Sequence, residues 1–522
     1  MAIYRNRHRE EKNARIKNEW SKVSPRVFKA LAIPKGRLEA FERALIGYVV
    51  LPEMPIYDQD RQAAFLTPYS AKPQVIVYCK TQSDVFQCLK LAHEYDLWVT
   101  CRSGGHSFAG YSVNTGMVID LGYMNRVQVD PVAKRARIEP GAQFQLINSV
   151  LEYPYGLHMP GGTCPDVACG GYMQGGGYGL TSRRFGMNCD NVLEFTMMLQ
   201  DGSIVVANKD KNPDLFWAVR GGTGNNFGIL LETVYQLHEL GNVWGFAFKW
   251  DIQQAPAVLV ELQTNYMKTG KDDKLGIEPV LAMFPNKKTG KREPKLVLLG
   301  LYQGTELEGR KALKSVLAIP GFETLTSETG SYANLNEDIF IKGLPGEPQG
   351  QPMVAKSGYV SRPVSLQEWE AICNKFAGTP NPWNIIGIET YGGAINAHPR
   401  DGNAFIHRDV DMDLFIFAFL EPGREKQDQQ WFDEMAATIQ PVWNGHVYQN
   451  YPVRNFPNFR WAYWGDAYQS LWFVKDKYDK GNFFRFEQSI TPYPADKSIQ
   501  RSKKASRFKD RKIVYQARAK KK

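Results

Sequence analysis

A chain of 522 residues, 43% hydrophobic and 12% aromatic, has a globular composition with room for two or three cores, which excludes a fibrous or wholly disordered protein. The net charge of +10 does not mark a nucleic-acid-binding face. Residues 497–522 alone hold twelve Lys/Arg against one Asp, so the rest of the chain is near neutral and the basicity sits in a tail read as solvated.

In chain order, residues 1–60 read as an N-terminal arm, with a helix over Glu10–Glu19 and an extended stretch from Gly47 to Tyr57. The start, Met-Ala-Ile-Tyr-Arg-Asn-Arg, lacks the apolar centre of a secretion signal, and no run of eighteen apolar residues follows. No membrane partner and a cytoplasmic location are therefore expected. Gln74–Tyr78 is β-branched and predicts a strand. Thr81 then offers a cap to a helix whose Val85, Cys88, Leu89, Leu91 and Ala92 share one face. Leu97–Cys101 predicts a second strand, making a β-α-β unit.

That strand runs into Arg102-Ser103-Gly104-Gly105-His106-Ser107. Small residues in a tight turn aim backbone N–H groups inward, an arrangement suited to pyrophosphate, with Arg102 adding charge. His106 would stand beside whatever the phosphates anchor, or else cap or fill the core. Met117–Leu121, Arg126–Asp130 and Arg135–Glu139 predict a meander of three strands, and Phe144–Leu151 a helix.

Gly161–Gly179 holds eight glycines in nineteen residues and no Lys or Arg. We read it as a loop pressed against a bulky flat ligand, with Cys164 in reach. Asn191–Leu199 and Ser203–Ala207 predict a hairpin and Asp214–Arg220 a short helix. Gly221–Gly228 is a third glycine cluster, leading into strand Ile229–Leu237. Past residue 240 the glycine clusters mostly stop. Long strands (Lys295–Tyr302, Asp411–Leu420) alternate with helices (Ala255–Thr269, Gly309–Leu317, Leu366–Ala377), which predicts a second α+β domain with helices on one face of a large sheet. A last helix is predicted over Tyr468–Tyr478. The seven cysteines, at 79, 88, 101, 164, 169, 189 and 373, show no metal-ligand spacing, so neither a metal site nor a disulfide framework is expected.

Four separated motifs carry a resemblance: Arg102–Ser107; Cys164-Pro165-x-Val167 with its glycines; Asp214-Leu215-Phe216-Trp217-Ala218 through Gly228; and Val474-Lys475-x-Lys477-Tyr478-Asp479-x-x-Asn482-x-Phe484-Arg485-x-x-Gln488-Ser489-Ile490. In this order they resemble the berberine-bridge-enzyme-like FAD-linked oxidases of the vanillyl-alcohol-oxidase and para-cresol-methylhydroxylase superfamily. The resemblance implies an α+β, two-domain flavoprotein oxidase. An FAD-binding domain of two α+β subdomains spans 61–240. A substrate domain with a large antiparallel sheet covered by helices spans 241–437. Residues 438–495 complete the FAD domain and active site, and 496–522 form the basic tail.

The resemblance further implies FAD held covalently twice, through His106 and Cys164. Other cofactor contacts would come from Arg102, Ser103, Gly104, Gly105, Ser107, Val167, Gly170, Gly171, Gly175, Gly176, Gly177, Tyr178, Gly179, Asn191, Gly228 and Asn482. Val167 matches oxygen-reactive members, which points to an oxidase using molecular oxygen and releasing hydrogen peroxide. Tyr448-Gln449-Asn450-Tyr451 matches the strand that brings the base: Tyr451 first, Tyr448 second, with Tyr178 over the ring, helped by a nearby carboxylate or by Arg454 stabilising a tyrosinate. Phe108, Tyr172, Glu389, Tyr391, Asn396 and His398 would line the pocket for a small-molecule substrate. Tyr172 stands where relatives have a histidine, and Ala397 where the alkaloid cyclase has its glutamate, which argues against berberine-type ring closure.

The expected function is hydride transfer from an alcohol carbon of a sugar or natural product. The alternatives are oxidative formation of a double bond or ring, a dehydrogenase using another acceptor, and a redox-dead flavin-binding protein. No nucleic-acid partner is expected.

Overall fold

The computed structural model describes residues 2–4, 20, 23–64, 66–69, 71–267, 272–286, 288–346, 348 and 350–493. The predicted helix over Glu10–Glu19 and the basic tail lie outside the described residues.

The first half holds two sheets. A four-stranded sheet runs in the order Tyr48–Val50, Val75–Tyr78, Met117–Asp120, Val99–Arg102, with the first pair antiparallel and the others parallel. The β-α-β unit is present, but Met117–Asp120 inserts between its two strands. Helix Gln82–Glu94 is closed by a capping box in which Thr81 accepts from the Asp84 N–H, and it buries the expected face Val85, Cys88, Leu89, Leu91 and Ala92. Buried Asp84 also accepts from the N–H groups of Ile46, Gly47, Lys80 and Thr81, so this one carboxylate fastens the segment before the sheet to the helix start.

The arm expected over 1–60 is therefore corrected in its second half. Val27, Phe28, Leu31, Leu38, Phe41, Val49 and Val50 are core residues packed with the four-stranded sheet, and Tyr48–Val50 is one of its strands. The expected meander is corrected as well. Met117–Asp120 belongs to the parallel sheet, whereas Val127–Asp130 and Arg135–Ile138 form a hairpin in a six-stranded antiparallel sheet with Ala2–Tyr4, Ile229–Gln236, Val192–Met198 and Ile204–Asn208.

The second half is a seven-stranded antiparallel sheet in the order Glu323–Gly330, Val243–Asp251, Arg292–Tyr302, Leu275–Pro285, Ile385–Thr390, Met412–Phe419, Met353–Val360. Side chains on a strand alternate between faces, and here the alternation sorts chemistry. Ile386, Ile388, Met412, Leu414 and Ile416 join the core under helices Ala255–Tyr266, Leu366–Ala377 and Glu425–Ile439. Ile385, Glu389, Phe415 and Phe417 turn to the other face and line a cavity between the two halves. That face also carries helix Tyr332–Gly343, whose Leu335 and Ile339 pack with Val243 and Leu301, so helices cover both faces and not one.

The chain then returns to the first half. Helix Tyr468–Tyr478 buries Leu471, Trp472, Val474 and Lys475. The Trp464 indole N–H donates to the Gly221 carbonyl at 3.0 Å, tying this segment to the third glycine cluster.

Candidate active site

Where the halves meet there is a cavity of about 370 Å³, within the usual span of small-molecule sites. Its floor comes from backbone turns. Strand Val99–Arg102 ends in Ser103-Gly104-Gly105, with Gly105 at φ +85°, a conformation glycine adopts without strain. A Cβ on Gly104 would stand 2.8 Å from the Ala168 nitrogen, so this turn and the 163–168 segment lie flat against one another. His106, Ser107, Phe108, Cys164, Val167, Gly171, Tyr172, Gly179 and Gly228 all line the cavity. His106 Nε2 lies 3.4 Å from Asp166 Oδ2, and hydrogen bonding to that histidine holds the Asp166 carboxyl below its usual range. Cys164 is exposed while Cys169 is buried with its thiol pushed up to about 12 by burial, so only the former has the access a reactive cysteine needs.

Several expected cofactor contacts are elsewhere. Arg102 is buried and spends its guanidinium on Asp120 at 2.6 Å and on the carbonyls of Asp60 and Gln62. It locks the sheet and does not line the cavity. Asn191 donates to the carbonyls of Phe185 and Met187. Asn482 (φ +53°) turns the chain after the last helix and does not line the cavity. Gly170, Gly175, Gly176 and Gly177 do not line it either. A Cβ on Gly170 would meet Pro140 and Ser103, one on Gly175 would lie 2.0 Å from Asn450 Oδ1, and one on Gly176 would strike the Phe405 ring. The glycine run thus has two uses, and only part of it faces a ligand. The rest lies against other protein, and Gly175 lets the C-terminal segment approach the loop.

That approach places the next group. Tyr448 Oη accepts from the N–H groups of Gly177 (3.0 Å) and Tyr178 (2.9 Å) and from Asn450 Nδ2 (3.0 Å). The same Asn450 amide donates to the Tyr172 carbonyl at 3.0 Å. Tyr448 therefore clamps the C-terminal segment to the loop while its side chain also lines the cavity. Tyr172 donates its hydroxyl to the Tyr178 carbonyl. Tyr178 Oη accepts from the Thr390 N–H at 3.1 Å, and its ring stacks on Tyr391 at 5.5 Å.

Tyr451 follows the clamp. Its ring is boxed by Phe108, Phe415, Phe417 and Tyr448, with centroids 5.0 to 5.5 Å away. Its hydroxyl donates to Glu389 Oε1 at 2.5 Å. Burial raises the Tyr451 hydroxyl well above its ordinary value, and the Glu389 charge adds to that. Burial likewise raises the Glu389 carboxyl, with Asp413 and Glu278 adding and the Tyr451 hydrogen bond opposing. Arg454 is not the partner of Tyr451. It pairs with Glu487 at 3.6 Å and lies over the rings of Tyr69 and Tyr111.

Three further pocket expectations are corrected. Tyr391 is fully buried and hydrogen-bonded to Tyr359 at 3.1 Å. Asn396 bridges the Gly392 N–H and the Val410 carbonyl. His398 lies 3.5 Å from Asp190, outside the cavity.

Glu278, which sequence reasoning missed, lines the cavity from strand Leu275–Pro285, and burial pushes its carboxyl up to about 8. A lone acid in an otherwise apolar strand is the signal that marks it. No Lys or Arg lines the cavity among the described residues. The site thus offers an aromatic box, two carboxyls and a hydrogen-bonded tyrosine above a floor of backbone turns bearing His106 and Cys164. It suits a flat, polar-edged group below and a hydroxyl-bearing molecule above. Groups of His, Cys, Asp and Glu able to hold a metal ion are absent among the described residues.

Comparison with known proteins agrees with this layout. The family descriptions "FAD binding domain" and "Berberine and berberine like" match residues 73–208 and 447–491. An FAD-linked oxidoreductase of Bacillus subtilis, YgaK, is 29% identical over 457 residues, 86% of this chain and 97% of that protein. A chitooligosaccharide oxidase of Gibberella zeae is 27% identical over 461 residues, 81% and 88% of the two chains. Among solved structures, the BBE-like 1 protein of Physcomitrella patens superimposes with a TM-score of 0.77 at 24% identity, covering 87% of this chain and 98% of that one, which shows a shared fold.

Proposed function

Because the chain belongs to the berberine-bridge-enzyme-like FAD-linked oxidoreductases, we propose that it is an oxidase of a small alcohol, a sugar or natural-product hydroxyl, working on covalently held FAD with molecular oxygen as acceptor and hydrogen peroxide as product. The observation that carries the reading is the Tyr451–Glu389 hydrogen bond at 2.5 Å inside the aromatic box. The floor fits the cofactor: its turns present backbone at close approach, and its two side chains able to bond a flavin, His106 and Cys164, both reach the cavity. When bound there, FAD supplies a two-electron acceptor for hydride.

The protein's part is proton handling and exclusion of water. Tyr451 Oη takes the proton of the substrate hydroxyl as its own proton passes to Glu389 Oε1, so no full charge is left on the buried phenol. Phe108, Phe415 and Phe417 keep water from the pair. Tyr448 and Asn450 hold Tyr451 in place through the glycine run. Val167, small and on the floor, leaves room for oxygen.

The relay needs an unprotonated carboxyl. Burial raises both Glu278 and Glu389, so the neutral forms dominate below the shifted values and the acceptor appears as pH rises. The rate of flavin reduction by substrate should therefore climb with pH above the ordinary carboxylate range, falling about tenfold per unit below its midpoint. Stopped-flow traces across pH check this, and a midpoint at an ordinary carboxylate value would contradict it.

Acid-precipitated protein should stay yellow, and Cys164→Ala should change the flavin spectrum while His106 keeps the colour with the protein. Colour passing wholly into the supernatant would refute covalent attachment. The reading as a whole is tested by mixing the holoenzyme, without oxygen, with a panel of aldoses, oligosaccharides and aromatic alcohols, then admitting air. Bleaching by at least one alcohol, with recolouring and peroxide, is expected. A flavin bleached by dithionite but by no alcohol would overturn it.

A further inference from the structure

The face of the large sheet above the cavity carries a row of acids. Strands Ile385–Thr390 and Met412–Phe419 pair antiparallel with Glu389 directly opposite Asp413. Strand Leu275–Pro285 pairs on the other side, with Val280 opposite Gly387, so Glu278 comes level with Glu389. Directly opposed residues share a face and hold their Cβ atoms about 4.5–5.5 Å apart. Beyond Asp413 the row ends at Tyr359, its partner on strand Met353–Val360. Glu278 and Glu389 line the cavity, whereas Asp413 is fully buried behind them. Glu389 gives Oε1 to Tyr451, and its Oε2 is buried with no hydrogen-bond partner among the described residues.

The groups acting on Glu389 are Asp413, Glu278 and Tyr451, and Glu389 in turn acts on Tyr172, Tyr178, Tyr359, Tyr391 and Tyr448. None of these is a cation. Two adjacent buried carboxyls without a countercharge cannot both ionise, and they titrate as a pair. Burial pushes Asp413 up to about 8, with the Ser357 hydroxyl the group pulling it back.

We propose that Glu389 and Asp413 act as one acid sharing a single proton across their strand pair, and that Asp413 is the positioning residue that decides when Glu389 accepts from Tyr451. This rests on the reading of Tyr451 and Glu389 as the proton-handling pair. Before the reaction the two carboxyls carry one proton and one negative charge. As the substrate hydroxyl gives its proton to Tyr451 and Tyr451 gives its own to Glu389, they become a neutral diacid, which the dry site favours. Loss of one proton to solvent resets the pair.

The test needs no substrate. Infrared difference spectra of the holoenzyme, recorded between about pH 6 and pH 10, follow the carbonyl stretch of protonated buried carboxyls. Asp413→Asn should lower the midpoint at which the Glu389 band is lost by about one unit or more, and Glu389→Gln should lower that of Asp413 by a comparable amount, because coupling is reciprocal. Glu278→Gln should move the Glu389 band less. Asp413→Ser serves if the asparagine variant does not hold its flavin. A Glu389 midpoint unmoved by loss of Asp413, or moved as far by Glu278→Gln, would overturn the shared proton. These spectra stand apart from Tyr451: if Tyr451→Phe proved fully active, the proton-handling reading would fail while the carboxyl titration remained to be read.

Discussion

Tyr451→Phe should slow substrate-driven flavin reduction by about 10²–10⁴-fold, the usual loss when a positioned acid–base group is removed. The substitution deletes one oxygen. The ring and its contacts to Phe108, Phe415, Phe417 and Tyr448 remain, so the box keeps its shape. The clamp through Tyr448 and Asn450 does not involve the lost hydroxyl, so the cofactor stays bound. What disappears is the proton acceptor beside the substrate and the 2.5 Å path to Glu389. The measurement is single-turnover reduction without oxygen, using any alcohol that bleaches the unaltered protein. A rate within a few-fold of the parent would remove Tyr451 from the chemistry. A loss confined to KM would make it a binding group only.

Lys475→Met should cost about 3–5 kcal/mol of stability, the scale seen when one member of a buried ion pair is removed. Lys475 is completely inaccessible. Its ammonium donates to Asp479 at 2.6 Å, to the Asn226 carbonyl at 2.5 Å and to the Phe484 carbonyl at 2.6 Å. Burial pulls it down to about 8, against the opposing pull of Asp479. The single nitrogen joins the last helix, the chain after it and the third glycine cluster, and Asn226 in turn accepts from the Ile490 N–H at 2.7 Å. Methionine fills the space but leaves the Asp479 charge without its counter-ion, held only by the Phe483 and Phe484 N–H groups, and orphans two carbonyls. Denaturant unfolding of the holoenzyme, followed by flavin fluorescence and far-ultraviolet dichroism, measures the loss. Adding Asp479→Asn should recover part of it, because the amide removes the charge and its oxygen can still accept from a Phe483 or Phe484 N–H. A midpoint shift worth under about 1 kcal/mol would show that the pair is incidental.

What could be read in the sequence was what depends on near neighbours. The Thr81 cap and the buried face of Gln82–Glu94 follow from a local signature and a 3.6-residue period. Tyr451 stands out in the sequence because its motif is contiguous, and it lines the cavity. What escaped depends on pairing between distant segments. Nothing near Arg102 says that Asp120 will claim it. Asp413 stands opposite Glu389 only through a strand register set by the whole sheet. Glycine density says that backbone must come close to something. It does not say whether that is a ligand, as at the open Gly171 on the cavity, or other protein, as at Gly104 against Ala168 and Gly175 against Asn450.

The return of the chain also orders events in time. The floor of the cavity is complete once strand Ile229–Gln236 is made, but Tyr451 is more than two hundred residues further on. At about 5–20 residues per second, synthesis puts roughly 10–40 s between the two. During that interval the first half has its turns, His106 and Cys164, yet lacks the clamp, Tyr451 and the lysine that fastens the last helix. The emerging chain thus completes the turns of the floor well before it contains the segment bearing Tyr448, Tyr451 and Lys475.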